Sequence, residues 1–118
     1  MDESVALTLY ITHQLTVLKN AVDACIRTKR FQKAIQGVEL IKGHVLIMTN
    51  EEKKIEVLQQ LDLMVHEIYD EAFVAIDSWI CEGHQDKAME ILYHLQEYAN
   101  TSHFDGYLHY LQAINDYL

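Results

Sequence analysis

Seven histidines and eighteen acidic residues raise the question of a metal site. Two histidine–carboxylate pairs have the i, i+4 spacing that places two ligands on one helix face: His66 with Asp70, and Glu90 with His94. A di-iron bundle also requires Glu-x-x-His pairs, and the sequence contains none. We therefore interpret both histidines as core-margin residues bonded to nearby carboxylates, and we assign no metal site. A metal-binding or redox bundle that uses these four residues is the alternative.

Motifs for covalent catalysis or phosphate binding are not present in the sequence. Cys81 and His84 lie close together, but no third residue at a motif spacing completes a catalytic site with them. The four glycines of the chain do not form a phosphate-binding loop. We expect a protein that is not an enzyme and that uses no cofactor.

Tyrosine is concentrated near the C-terminal end of the chain. Five of the seven tyrosines lie within the last 26 residues. A tyrosine combines an apolar ring with a polar hydroxyl, which suits a half-exposed position on a surface that binds a partner. The candidate partner-binding residues are Tyr93, Phe104, Tyr107, Tyr110 and Tyr117. The competing interpretation is that these rings cover the end of a helical core, and the sequence leaves both open.

The charge balance limits the class of partner. Nine basic residues face eighteen acidic ones, for a net charge of −9. Because phosphate neutralisation by Lys and Arg supplies most of the affinity for nucleic acid, this balance argues against a nucleic-acid partner. It also argues against an anionic membrane surface. An acidic inhibitor that imitates nucleic acid or blocks a basic protein is a further alternative.

Cysteine use and hydropathy indicate the compartment. Cys25 and Cys81 are far apart in sequence and form no CxxC motif, so we interpret them as reduced core residues. The first residues lack the basic stretch and apolar core of a secretory signal. No apolar run is long enough to span a membrane. We expect a cytoplasmic protein.

Apolar residues recur at helical spacing throughout a chain that contains no proline. The longest pattern runs from Thr49 to Gly83, with a Thr49–Glu52 capping box at its start and Gly83 as its left-handed C′ residue. Its apolar stripe is Leu58, Leu61, Val65, Ile68, Ala72, Ile76 and Trp79. The other segments are predicted at Glu3–Thr28, Arg30–Met48, Gln85–Tyr98 and from Ser102 onward.

Five helical segments joined by short connections predict an all-α fold. We expect a single domain over residues 1–118, an antiparallel up-down bundle of four helices plus a short C-terminal fifth helix. A helical-repeat architecture is the minority interpretation. The segments that begin at Arg30 and Gln85 are alike, but they lie about 54 residues apart, whereas tetratricopeptide repeats recur every 34 or so.

Short motifs resemble those of the flagellin export chaperones, a family of small cytosolic helical bundles. The first helix carries Leu9-Tyr10, and the third carries Ile68-Tyr69-Asp70 in place of a Leu-Tyr-Asp motif. A fourth helix follows a short polar turn at residues 83–86. The tryptophan of the family's last helix is missing, since the single Trp79 lies in the third. The resemblance, over residues 5–100, implies a chaperone or adaptor.

These patterns favour a non-enzymatic bundle that binds another protein as a chaperone, adaptor or regulator. A helix or an extended segment of the partner would lie in an apolar or aromatic groove between helices. The long helix and the C-terminal segments are the expected surfaces. If the apolar stripe of the long helix is not covered within one chain, we expect a symmetric homodimer.

Overall fold

The regular secondary structure of the part that the structure describes is entirely helical. The computed structural model describes residues 3–102 and 104–118, without the side chains of residues 3, 4 and 105. The helices are α1 (Glu3–Arg27), α2 (Phe31–Val45), α3 (Glu51–Cys81), α4 (Gln85–Thr101) and α5 (Leu108–Tyr117), with a 3₁₀ turn at Asp105–Tyr107 before α5. The all-α prediction is confirmed. Over the described residues, no helix is long and apolar enough to cross a membrane.

The chain divides into two compact units, and the boundary between them lies within helix α3. The N-terminal unit is Met1–Ile68, and the C-terminal unit is Tyr69–Leu118. The first contains α1, α2 and the beginning of α3, and the second contains the remainder. A single domain over residues 1–118 stays a prediction.

The core of the N-terminal unit is formed by apolar faces of α1 and α2. These faces bury Ile11, Leu15, Leu18, Val22, Phe31, Ala34, Ile35, Val38, Ile41 and Val45. The spacing of three and four residues keeps each set on one side of its helix. Gly37 allows a close approach, because a β-carbon at that position would lie 3.0 Å from Leu18 Cδ1.

The buried stripe of α3 follows the predicted pattern with one shift. All of the predicted residues from Leu61 to Trp79 are buried, but Leu58 is half-buried and Val57 is buried in its place. The helix begins at Glu51, so its N-cap position is Asn50, one residue after the predicted Thr49. Asn50 Oδ1 accepts a hydrogen bond from the Lys53 amide at 3.1 Å.

The turns that end α1 and α3 have the same backbone geometry. In each turn, a backbone amide donates a hydrogen bond to the carbonyl five residues earlier: Arg30 to Cys25 and His84 to Trp79, both at 2.7 Å. This is the Schellman arrangement, which requires a left-handed residue at C′. Gly83 has φ +83°, as predicted, whereas Lys29 has φ +59°. The first turn therefore uses a lysine at a position where glycine is favoured.

We expect the Lys29→Gly substitution to stabilise the protein by about 1 kcal/mol, because a side chain in the left-handed region costs roughly 1–2 kcal/mol. Thermal unfolding followed by circular dichroism should show Tm higher by about 4 °C. The matched control is Lys19→Gly, an exposed position inside α1, which should lower stability by about 1 kcal/mol. A Lys29→Gly protein that melts at or below the wild-type temperature would contradict the assignment of strain to this turn.

Candidate functional site

Five aromatic rings pack together in the C-terminal unit and form what we call the aromatic cluster: Tyr69, Phe73, Tyr98, Phe104 and Tyr107. Tyr69 lies at the centre and is fully buried. Its ring centroid is 5.0 Å from that of Phe104 and 5.1 Å from that of Tyr107. The Tyr69 hydroxyl donates a 2.6 Å hydrogen bond to the Leu95 carbonyl of α4. The cluster thus ties α3, α4 and the segment before α5 together.

Tyr107 lies at the edge of the aromatic cluster, where its ring stacks on Phe104 at 5.6 Å. Its hydroxyl donates a 2.7 Å hydrogen bond to Asp70 Oδ1 on α3. Burial, this hydrogen bond and the negative charge of Asp70 raise the pKa of the Tyr107 phenol to about 12. The phenol is therefore kept in its neutral, donating form.

The structure divides the five predicted partner-binding residues into two groups. Phe104 and Tyr107 are half-buried members of the aromatic cluster, so their contacts also serve the packing of the unit. Tyr93, Tyr110 and Tyr117 are 61%, 61% and 73% exposed. Ring contacts connect Tyr110 to Tyr107, at 6.5 Å. A role in binding stays a prediction for all five.

Helix α4 presents an exposed face that the sequence reasoning did not single out. We call it the α4 stripe, and it comprises Asp86, Met89, Glu90, Tyr93 and Glu97. These positions follow the spacing of one helix face, and all five side chains are exposed. Met89 and Tyr93 thus lie between carboxylates. The opposite face of α4 buries Ala88, Leu92 and Leu95. The i, i+3 and i+4 pattern of charge and aromatic residues could have revealed this face from the sequence.

Acidic charge is concentrated in the C-terminal unit. Residues 69–118 contain nine acidic side chains and one basic side chain, Lys87, for a net charge of −8. Residues 1–68 contain nine acidic and eight basic side chains, for a net charge of −1. Nearly all of the excess negative charge therefore belongs to the unit that exposes Tyr93, Tyr110 and Tyr117.

Three of the four residues of the metal hypothesis, His66, Asp70 and His94, have other contacts. His66 Nε2 lies 3.5 Å from Asp62 Oδ2, and Asp70 accepts the hydrogen bond from Tyr107. The His94 ring packs against Tyr93 at 5.5 Å. Among the residues that the structure describes, no group of three or more His, Cys, Asp and Glu side chains is arranged to hold a metal ion.

The two thiols differ from the sequence interpretation. Cys25 is half-buried, but Cys81 is exposed, so the prediction of two core cysteines is wrong for Cys81. Cys81 is the last residue of α3, and the helical twist turns it away from the buried Trp79 two positions earlier.

We expect the Tyr69→Phe substitution to cost about 1 kcal/mol, because it removes one buried hydrogen bond while the Leu95 carbonyl stays within a helix. Denaturant unfolding should show a lower midpoint at an unchanged slope. Tyr110→Phe is the matched control, since its hydroxyl is on an exposed ring, and its stability should be that of the wild type. Equal stability of Tyr69→Phe and wild type would show that the bond contributes nothing to the fold.

The raised pKa of Tyr107 predicts a loss of stability at alkaline pH. Between the ordinary phenol pKa of 10.0 and the folded value of about 12, the unfolded state loses the Tyr107 proton while the folded state keeps it. Stability therefore declines as pH rises through this window, and the contribution is fully present below it. Thermal unfolding at a series of alkaline pH values should show a shallower decline for Tyr107→Phe than for the wild type. Parallel curves for the two proteins would contradict the assignment.

The chain was compared with known protein families, curated proteins and solved structures. No protein-family model, no curated protein and no solved structure matches the chain. The resemblance to flagellin export chaperones stays a prediction from short motifs.

Proposed function

We propose that this chain is a non-enzymatic protein-binding module that holds a basic segment of another protein on its C-terminal unit. The observation that carries the proposal is the α4 stripe, where exposed Met89 and Tyr93 lie among carboxylates in a unit with a net charge of −8. An apolar side chain of the partner packs on Met89, and a Lys or Arg of the partner pairs with the carboxylates.

Tyr93 is the centre of the proposed contact. It is flanked on its helix face by Glu90, three residues before it, and by Glu97, four residues after it. An arginine placed over the Tyr93 ring would gain a cation–π contact worth about 0.5–1 kcal/mol at an exposed site. The same guanidinium can form charge-assisted hydrogen bonds with either glutamate. Aromatic rings beside carboxylates therefore favour a cationic partner over a neutral one.

Helix α5 supplies a second exposed aromatic face. Tyr110 and Tyr117 are seven residues apart, which is two helical turns, and so they lie on one side of α5. Phe104 and Tyr107 contribute by holding the segment before α5 against Tyr69. A partner helix or extended segment of two or more turns is long enough to contact both rings of α5.

The proposal also covers the arrangement of the helices, the compartment and the class of protein. The four long helices form an antiparallel up-down bundle, the protein acts in the cytoplasm, and its class is that of the chaperones and adaptors. The short connections and the motifs at Leu9-Tyr10 and Ile68-Tyr69-Asp70 support them.

The acidic excess also favours a second candidate function, the inhibition of a basic protein by charge. In that case affinity would come from the summed field of the carboxylates, not from individual rings. The two candidates differ in what weakens binding. Salt alone would dissociate an electrostatic inhibitor, whereas loss of Tyr93 would weaken a docked segment at any salt concentration.

We expect the Tyr93→Ala substitution to weaken partner binding about tenfold, as truncation of an interfacial tyrosine commonly costs more than 1 kcal/mol. Tyr10→Ala is the matched control, because Tyr10 is an exposed tyrosine of the N-terminal unit. Immobilised wild type, Tyr93→Ala and Tyr10→Ala are each exposed to native cell extract at low and moderate salt, and the retained proteins are quantified.

The proposal expects a basic protein that wild type and Tyr10→Ala retain equally and that Tyr93→Ala loses without a change in Tm. Equal retention by all three proteins that is abolished by moderate salt would support the charge inhibitor instead. Retention of an acidic partner would overturn the proposal. So would a loss of retention by Tyr93→Ala that is accompanied by a lower Tm of that variant.

A further inference from the structure

A cleft of about 380 Å³ opens on the N-terminal unit between α2 and α3. Its walls are mainly apolar, with Val38 from α2 and Leu58 and Val65 from α3. Ile55 stands at its rim and is 54% exposed. The cleft lies outside the C-terminal unit, so the proposed function does not use it.

Two opposite charges, Lys42 and Asp62, line this cleft. Lys42 is half-buried on the last turn of α2, and Asp62 is exposed on α3. The chain leaves α2 at Val45 and enters α3 at Glu51, so Lys42 and Ile55 lie at the end near this connection. Asp62 is seven residues beyond Ile55, about 10.5 Å along the same face.

We propose that a second copy of this chain occupies the cleft, related to the first by a two-fold axis that passes beside α3 near Leu58. An antiparallel pairing of the two α3 helices about this axis brings Ile55 of each copy opposite Asp62 of the partner subunit. Because Lys42 lies at the Ile55 end of the cleft, each Lys42 then faces Asp62 of the partner subunit. The exposed Ile55 side chains fill the apolar cleft from both sides.

Self-complementarity is the reason for choosing a second copy as the occupant. A two-fold interface uses the same patch twice, so residue i must contact residue j and residue j must contact residue i. A cleft lined by one cation and one anion, Lys42 and Asp62, meets this condition, since one operation makes both pairs. An acidic partner would satisfy Lys42 alone, and a basic partner would satisfy Asp62 alone.

The remaining charges of the N-terminal unit are compatible with this pairing. Residues 1–68 have a net charge of −1, so two such units approach without the repulsion that two acidic C-terminal units would experience. Asp62 lies 3.5 Å from His66 of its own helix through one carboxylate oxygen. A carboxylate has about four acceptor positions, so the same side chain can also accept a hydrogen bond from a lysine.

The test is the dimer dissociation constant of the full chain, measured by sedimentation velocity over a wide range of protein concentration. Each single charge reversal, Lys42→Glu or Asp62→Lys, places like charges together at two equivalent positions, and we expect at least a tenfold rise in the dissociation constant. The double variant Lys42→Glu/Asp62→Lys restores both attractive pairs, and its dissociation constant should return to within a few-fold of the wild type.

A second pair of variants tests whether the dimer forms through the cleft or through another part of the surface. Ile55→Asp should convert the dimer to a monomer, whereas Leu40→Asp should not, because Leu40 is an exposed residue of α2 that does not line the cleft. Circular dichroism of each variant checks that it is folded. A wild-type monomer at every concentration, a dimer that survives Ile55→Asp in a folded protein, or a double variant as weak as the single ones would overturn the proposal. None of these outcomes bears on binding at Tyr93.

Discussion

The buried hydroxyl of Tyr69 sets the constraint on which the C-terminal unit depends. A phenol enclosed by apolar side chains must find a hydrogen-bond partner, because an unpaired polar group in such surroundings costs several times what one hydrogen bond contributes. Tyr69 meets this requirement with the Leu95 carbonyl and so fixes the distance between α3 and α4. The rings of Phe104 and Tyr107 then pack on Tyr69 and position the segment that leads into α5.

Helix α4 packs one face into the C-terminal unit and exposes the other. Leu92 and Leu95 lie on the buried face of α4. Met89 and Tyr93 lie on its exposed face, next to carboxylate side chains. The exposed stripe is therefore the face of α4 opposite the one that packs inward. The nearly neutral N-terminal unit offers a different kind of surface, an apolar cleft lined by one cation and one anion. The two surfaces differ in charge and would recognise different partners.

Periodicity was enough to predict the helices, but it did not predict the contacts between them. The spacing of Leu61, Val65 and Ile68 identified the buried side of α3, and the turn chemistry of glycine identified Gly83. No sequence signal marks Lys29 as left-handed, since lysine does not favour that conformation. Thr49 and Asn50 are both good capping residues, and only the backbone geometry distinguishes them.

The candidate site was only partly visible in the sequence for a related reason. The concentration of tyrosines near the C-terminus was evident, but two of the rings that pack against Phe104 and Tyr107, those of Tyr69 and Phe73, come from α3, more than thirty residues earlier. Phe73 is four residues after Tyr69 on one helix face, so that pair could have been found. The cleft between Lys42 and Asp62 depends on how two helices meet, and no local pattern encodes it.

The central claim is that Tyr93 contacts a partner protein in the cell. The most direct measurement replaces Tyr93 with a photo-reactive phenylalanine analogue and irradiates living cells, with the same replacement at Tyr10 as the reference position. We expect a covalent adduct to a basic protein from position 93 and none from position 10. Adducts of equal yield from both positions, or no adduct from position 93 in a folded protein, would contradict it.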